Sequence, residues 1–161
     1  MIIVAYASKH GSTEGIADAI ASRLRARGKK AEAHAVDDVP EIGAPEAVVL
    51  GSAVYAGSWR KEAVAWAKDH AEALSSVPVW LFTSGPLGDQ AIDPEKAVRQ
   101  LPELREALQP RDHRVFFGAL DKDELALGER IIMKAVKAPE GDFRDWDAIA
   151  AWADEIADAL S

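Results

Sequence analysis

Three short stretches hold the residues of this chain best equipped for chemistry. The first, Ser8, Lys9, His10, Gly11, Ser12 and Thr13, gathers hydroxyls around a glycine. The second is Ser52, Ala53, Val54, Tyr55, Ala56, Gly57, Ser58 and Trp59, and the third is Ser84, Gly85, Pro86, Leu87, Gly88 and Asp89. A hydroxyl-rich turn leading straight into a helix offers side-chain donors, unpaired backbone N–H groups and the positive end of the helix dipole. The first stretch therefore predicts an anion site carried by Ser8, Ser12 and Thr13. The same hydroxyls have a second use, because Ser12 or Thr13 would cap any helix that starts there.

Residue types exclude several other chemistries. The chain has no cysteine, which removes disulfides, zinc–thiolate sites, iron–sulfur clusters and cysteine nucleophiles. Its four histidines, His10, His34, His70 and His113, show no ligand spacing, so no metal site is expected. The nucleotide loop G-x-x-x-x-G-K-[ST] and the dinucleotide fingerprint G-x-G-x-x-G are both absent. So is the G-x-S-x-G elbow of hydrolases. A phosphoacceptor receiver would need carboxylates where Ala7-Ser8 and Gly51-Ser52 stand. No side chain is assigned a catalytic role, and any redox chemistry must come from a bound organic cofactor.

The surrounding pattern shows how the three stretches are positioned. Apolar runs at 2–6, 47–50, 77–83 and 113–119, with a weaker one at 31–36, read as buried strands. Between them lie amphipathic helical patterns. Ile16, Ile20 and Leu24 line one helix that stops at Arg27-Gly28. A second helix is expected over 60–74, with Ala63, Ala67, His70 and Leu74 on one side. Asp93-Pro94 opens another, which Pro102 should break or kink, and two more are expected near 123–137 and 146–160. Near-continuous apolar strands alternating with helices indicate a parallel sheet covered on both faces. With 161 residues and no Pro/Gly/Ser linker, residues 1–161 read as a single domain. In such sheets, ligands bind beyond the carboxyl ends of the strands, and all three polar stretches leave those ends.

The order Tyr6, Ala7, Ser8, Lys9, His10, Gly11, Ser12, Thr13 resembles the flavodoxin phosphate loop, [ST]-x-T-G-x-[ST], with His10 in place of the second Thr. The run 50–57 resembles the second flavin loop, and 84–89 matches the third in position. The resemblance implies an α/β flavodoxin-like, doubly wound sheet of five parallel strands in the order 2-1-3-4-5. It also implies FMN as cofactor, held by Ser8, Lys9, His10, Gly11, Ser12 and Thr13, by Ser52, Ala53, Val54, Tyr55, Ala56 and Gly57, and by Ser84, Gly85, Pro86, Leu87, Gly88 and Asp89. Tyr55 is the better candidate to stack on the flavin ring. Trp59 is the alternative, unless it packs the start of the second helix. His10 has a role toward the phosphate or ribityl chain, or points to solvent; Asp89 bounds the ring edge or forms a turn. Trp66, Trp80, Trp146 and Trp152 are assigned to packing.

Within that superfamily the chain is similar to flavodoxin-domain proteins of the menaquinone-dependent protoporphyrinogen dehydrogenase type. The features that carry this are the 51–57 loop, Ala67-Lys68-Asp69-His70, Phe117-Gly118-Ala119-Leu120, Ile131-Ile132-Met133-Lys134 and Asp145-Trp146. Those proteins carry a longer, basic and aromatic insert before the last helix, where this chain has the short acidic run 121–128. The resemblance therefore implies flavin binding more firmly than porphyrinogen oxidation.

A net charge of −8 argues against nucleic-acid or anionic-membrane partners and suits docking onto basic proteins. The opening residues carry no basic segment before their apolar run, and no stretch reaches the roughly 18 apolar residues of a membrane span. The expected address is cytoplasmic. Three functions remain open: an FMN-dependent, quinone-linked oxidoreductase, an electron carrier between proteins, and a flavin-free interaction domain.

Overall fold

The computed structural model describes residues 1–8, 11–41, 43–55, 57–85, 98–116, 119–120, 141–142 and 145–161. The chain opens with strand β1 (Ile2–Ala7), turns at Gly11 and enters helix α1 (Ser12–Ala26). At the far end of α1, Gly28 takes a left-handed conformation (φ 83°). Its N–H reaches the Arg25 carbonyl at 3.0 Å, and that of Lys29 reaches Leu24 at 3.0 Å. These two bonds satisfy carbonyls that the helix end would leave bare, which is why the chain stops and reverses at the expected glycine.

Strand β2 (Ala31–Ala35) follows, then β3 (Ala47–Tyr55), β4 (Ser58–Trp59) and helix α2 (Lys61–Asp69). Next come β5 (Val79–Ser84), α3 (Leu101–Leu108), β6 (Asp112–Phe116), β7 (Ala119–Leu120), β8 (Gly141–Asp142) and α4 (Trp146–Ala159). The main sheet runs β2-β1-β3-β5-β6, all parallel. Leaving aside the short β4, which pairs antiparallel with β3, this is the expected order 2-1-3-4-5.

Alternation along the strands sorts the core into two layers. Ile2, Val4, Val49, Trp80, Phe82 and Phe116 face α1 and α4, with Ile16, Ile20, Leu24 and Trp152 filling the space between. Ile3, Ala5, Leu50, Val79 and Leu81 face the other way, toward Trp66 and Ala67 of α2 and Leu101, Leu104 and Leu108 of α3. Trp152 packs edge-on against Phe116 (ring centroids 5.6 Å apart) and Phe82 (6.3 Å), and its indole N–H donates to Asp112 at 3.0 Å. Full burial of such side chains is worth about 1.5–3 kcal/mol each, so both helix layers are held by the sheet rather than by helix propensity.

Several expected boundaries differ. Gly51 does not end β3. It lies opposite Phe82 in the register, and a methyl group added to it would fall 2.0 Å from the Phe82 ring. The glycine makes room for an aromatic ring inside a continuous strand. Helix α2 ends at Asp69 rather than 74, where the His70 ring Nδ1 donates to the Trp66 carbonyl at 2.8 Å alongside the backbone N–H of His70 at 3.1 Å. Leu74 stays buried although the regular helix has ended.

Pro102 neither breaks nor kinks a helix. It occupies the first turn of α3, where a missing N–H costs nothing. The expected fifth strand is split, with β6 ending at Phe116 and Ala119–Leu120 pairing instead with Gly141–Asp142 as a separate antiparallel ribbon. The helix expected from Asp93-Pro94 and the one near 123–137 fall largely outside the described residues.

Candidate functional site

The parallel register brings the polar stretches together. Ala7 pairs with Ser52, and Ala53 pairs with Ser84, so three adjacent strands end side by side. The order reversal between β1 and β3 lies among them, the position at which an open α/β sheet leaves a crevice.

At the first strand end, Gly11 forms the entry to α1 with φ 85°, a conformation that costs glycine little. Its N–H donates to Ser8 Oγ at 3.0 Å. No side chain caps the helix, so neither Ser12 nor Thr13 performs the capping role weighed from the sequence. Thr13 is instead fully buried, and its Oγ1 has no hydrogen-bond partner among the described residues. Lys9 and His10 lie outside the described residues.

Beside this turn, the Tyr6 phenol is pushed up to about 12, first by burial and then by Glu14, which it also hydrogen-bonds, with Asp18 and Asp38 adding to the effect. Burial and Glu14 likewise raise Asp18. This acidic flank was not singled out in the sequence. Its one available signal was Glu14 and Asp18, four residues apart on α1.

The second stretch is not a plain loop. Ser52, Ala53, Val54 and Tyr55 continue β3, which folds back at Gly57 (φ 79°) so that Val54 pairs with Trp59 and Tyr55 with Ser58. Ser52 Oγ donates to the Ala53 carbonyl at 2.8 Å and accepts from the Arg60 N–H at 3.0 Å. The Gly57 carbonyl accepts from Arg99 N–H at 2.7 Å, and the Trp59 N–H donates to Gln100 Oε1 at 3.0 Å. Trp59 is buried, with its indole N–H given to Thr83 Oγ1 at 2.8 Å. It packs the fold, the second of the two uses weighed for it. Ala56 and the Tyr55 ring, with the stacking expected of it, lie outside what the structure describes.

At the third strand end, Ser84 is fully buried and its Oγ, like Thr13 Oγ1, has no partner among the described residues. Gly85 (φ 108°) donates its N–H to the Phe116 carbonyl at 3.2 Å. Pro86, Leu87, Gly88 and Asp89 lie outside the described residues. Of the histidines that are described, His34 pairs with Glu32 at 3.0 Å, His70 bonds a helix carbonyl and His113 bonds Thr83 at 2.7 Å. Among the described residues no cluster of His, Cys, Asp or Glu is arranged to hold a metal.

A buried hydroxyl without a partner costs roughly 1–3 kcal/mol, and two such hydroxyls, Thr13 in the first turn of α1 and Ser84 at the end of β5, fit a polar ligand. An uncapped helix N-terminus beside one of them suits an anionic group on that ligand. An uncapped helix terminus with a buried hydroxyl beside it fits the phosphate ester of a ligand such as FMN.

The family comparisons agree with this geometry. A family model described as a flavodoxin domain matches residues 3–147. No curated protein matches the chain. Among solved structures, oxidised flavodoxin 1 from Bacillus cereus shares 16% identity and a TM-score of 0.64, covering 99% of each chain. A WrbA-like flavodoxin from Agrobacterium tumefaciens gives 17% identity and 0.61, covering 99% of this chain and 96% of its own. The rubredoxin oxygen:oxidoreductase of Desulfovibrio gigas gives 16% and 0.65, and the match covers 99% of this chain but 35% of that protein. At such identities these structures establish the fold. Among the described residues no helix is long and apolar enough to cross a membrane. With a family model spanning nearly its whole length, the chain belongs to the flavodoxin-domain family, whose cofactor is FMN.

Proposed function

We propose that this chain is a single-domain electron-transfer protein in which Ser8, Gly11, Ser12 and Thr13 hold the FMN phosphate. In this reading the segment 52–57 lies along the flavin ring, and Ser84 with Gly85 closes the third side. Bound FMN would supply one-electron or hydride transfer; the chain supplies binding, orientation and electrostatics. The Gly11 turn presents the first-turn amides of α1 to the phosphate, and the buried Thr13 hydroxyl donates to it. Lys9 and His10 add positive charge beside the dianion. A small quinone serves as electron acceptor.

The observation that carries this reading is the pair of buried hydroxyls at Thr13 and Ser84 that have no partner among the described residues, the first in the uncapped first turn of α1. Equilibrium titration by flavin fluorescence quenching tests it. FMN should bind one per chain and more tightly than riboflavin, whose uncharged end gives the helix terminus nothing to hold. Equal affinity for the two flavins would overturn the assignment. A second reading, a carrier between proteins, is favoured by the net charge of −8, which attracts basic partners. Reduction of soluble quinones by the reduced protein, compared with reduction of a basic protein acceptor, separates the two.

A further inference from the structure

The segment 52–57 must keep one shape to serve a flat ring, yet β4 is a two-residue strand with only two register pairs, Val54 with Trp59 and Tyr55 with Ser58. A ribbon that short is not stable alone. We propose that Thr83 and His113 are positioning residues for the flavin ring, acting through Trp59 to hold this hairpin in its binding shape. The assignment rests on the reading that 52–57 faces the ring.

The connection runs across three elements. Trp59 on β4 donates its indole N–H to Thr83 Oγ1 on β5 at 2.8 Å, and Thr83 Oγ1 lies 2.7 Å from His113 Nε2 on β6. Thr83 is fully buried, Trp59 is 3% exposed and His113 8%. Because Thr83 already accepts from Trp59, its own proton finds a partner only if Nε2 of His113 accepts it. The indole N–H, the Thr83 hydroxyl and His113 Nε2 are then linked in series, and the order of donors runs in one direction. An indole, a threonine and a histidine could be replaced by apolar residues of similar size with little loss of burial. The hydrogen-bonded chain adds direction, so the indole has one orientation and β4 one place on the sheet.

Residues just before α3 complete the brace, where Arg99 N–H holds the Gly57 carbonyl at the hairpin tip and Gln100 holds the Trp59 N–H. The hairpin is thus set before any ligand arrives. A preformed site spends none of its binding energy on ordering the loop.

The test uses Thr83→Val in the full-length chain, which keeps the shape of the side chain and removes the hydroxyl that links Trp59 to His113. Dissociation constants for FMN and for riboflavin are measured together with the visible circular dichroism of the bound flavin and the melting temperature of the ligand-free protein. Both dissociation constants should rise by the same factor, about tenfold, as expected for one buried hydrogen-bonded link. Their ratio should stay constant, the flavin dichroism should change, and Thr83→Ser should restore all three. Trp59→Phe, which breaks the same link from the other side, should reproduce the effect and add little to Thr83→Val. A lower melting temperature with unchanged flavin affinity and dichroism would reduce the relay to core packing and overturn the proposal. A loss confined to FMN would place the effect at the phosphate and overturn it as well. If the parent protein binds neither flavin, the reading of 52–57 fails, and this assignment with it.

Discussion

The two faces of the sheet meet at the same carboxyl-end edge but treat their hydroxyls differently. On the α1/α4 face, Thr13 buries a hydroxyl with no partner among the described residues, and Ser84, in step with Trp80 and Phe82, buries another. On the α2/α3 face, the side-chain donors of Ser52 and Trp59 and the Thr83 hydroxyl all find partners within the protein. The first face carries two buried hydroxyls that no described residue satisfies, which a ligand would satisfy. On the second face these three groups are paired within the fold, two of them next to the hairpin.

The largest expected effect comes from satisfying the two hydroxyls of the first face. FMN binds only the folded chain, so free FMN at a thousand times its dissociation constant should raise stability by about 4 kcal/mol. Calorimetric or fluorescence melting with and without FMN measures this. A melting temperature indifferent to FMN would leave the Thr13 and Ser84 hydroxyls without a purpose and favour a flavin-free interaction domain.

What the first face leaves unsatisfied among the described residues is polar only; its apolar packing is tight. Gly51→Ala should therefore cost about 3 kcal/mol, at the upper end for overpacking, because the new methyl group would meet the Phe82 ring at 2.0 Å. Phe82→Leu in the same chain should recover part of that loss in a urea titration. If Gly51→Ala alone is neutral, the face is loosely packed, and its unpartnered hydroxyls then need no ligand to explain them.

These features were unequally legible in the sequence. The positions of the main strands and the turn into α1 could be read because both rest on local pattern, apolar runs of strand length and hydroxyls around a glycine entering a helix, whereas the strand order came from the family resemblance. Gly51 misled, since a glycine after an apolar run also marks a turn; its function here depends on Phe82, 31 positions later in the chain and directly opposite in the register. The role of Trp59 was hidden for the same reason, because its partner Thr83 is 24 residues away and the next link, His113, a further 30. Pro102 was misplaced because a proline that starts a helix and one that ends it look alike until the neighbouring boundary is known.

Two threonines with the same chemistry sharpen the contrast between the faces. Thr13→Val removes a hydroxyl that has no partner among the described residues, so the ligand-free protein should gain up to about 1 kcal/mol while FMN affinity falls by about 1–3 kcal/mol and riboflavin affinity changes little. Thr83→Val removes a hydroxyl that has two, and should destabilise the ligand-free protein. Chemical denaturation of both variants decides the signs. If Thr13→Val is also destabilising, its hydroxyl is braced within the fold after all, and the two faces do not differ in the way described.

The smallest effect belongs to the end of α1 remote from the crevice, and asks whether that end matters to the site at all. Arg23 grips Asp154 of α4 through Nε–Oδ1 at 2.8 Å and Nη2–Oδ2 at 2.9 Å, and Arg27 adds a contact at 3.2 Å and a further pair with Asp158. Hydrogen bonding from Arg23, then from Arg27, and their charges lower Asp154 from its ordinary 3.8 to about 2. A carboxyl held lower in the folded state than in the unfolded one contributes stability that is complete above the unfolded value. The contribution is lost as pH falls through the interval from about 4 to about 2.

Asp154→Asn should therefore lower stability by a constant amount near neutral pH, with the difference from the parent shrinking below pH 4 and vanishing near pH 2. The groups are solvent-exposed and screened, so the difference should be small and should diminish in added salt. A helix of 15 residues spans about 22 Å, which separates this clamp from the Gly11 turn at the other end. FMN affinity at pH 7 should accordingly be the same in Asp154→Asn and the parent. An affinity loss that follows the weakened clamp would show that α1 tilts as a lever under Thr13, making the ligand-dependent face depend on its far end as well as on the ligand.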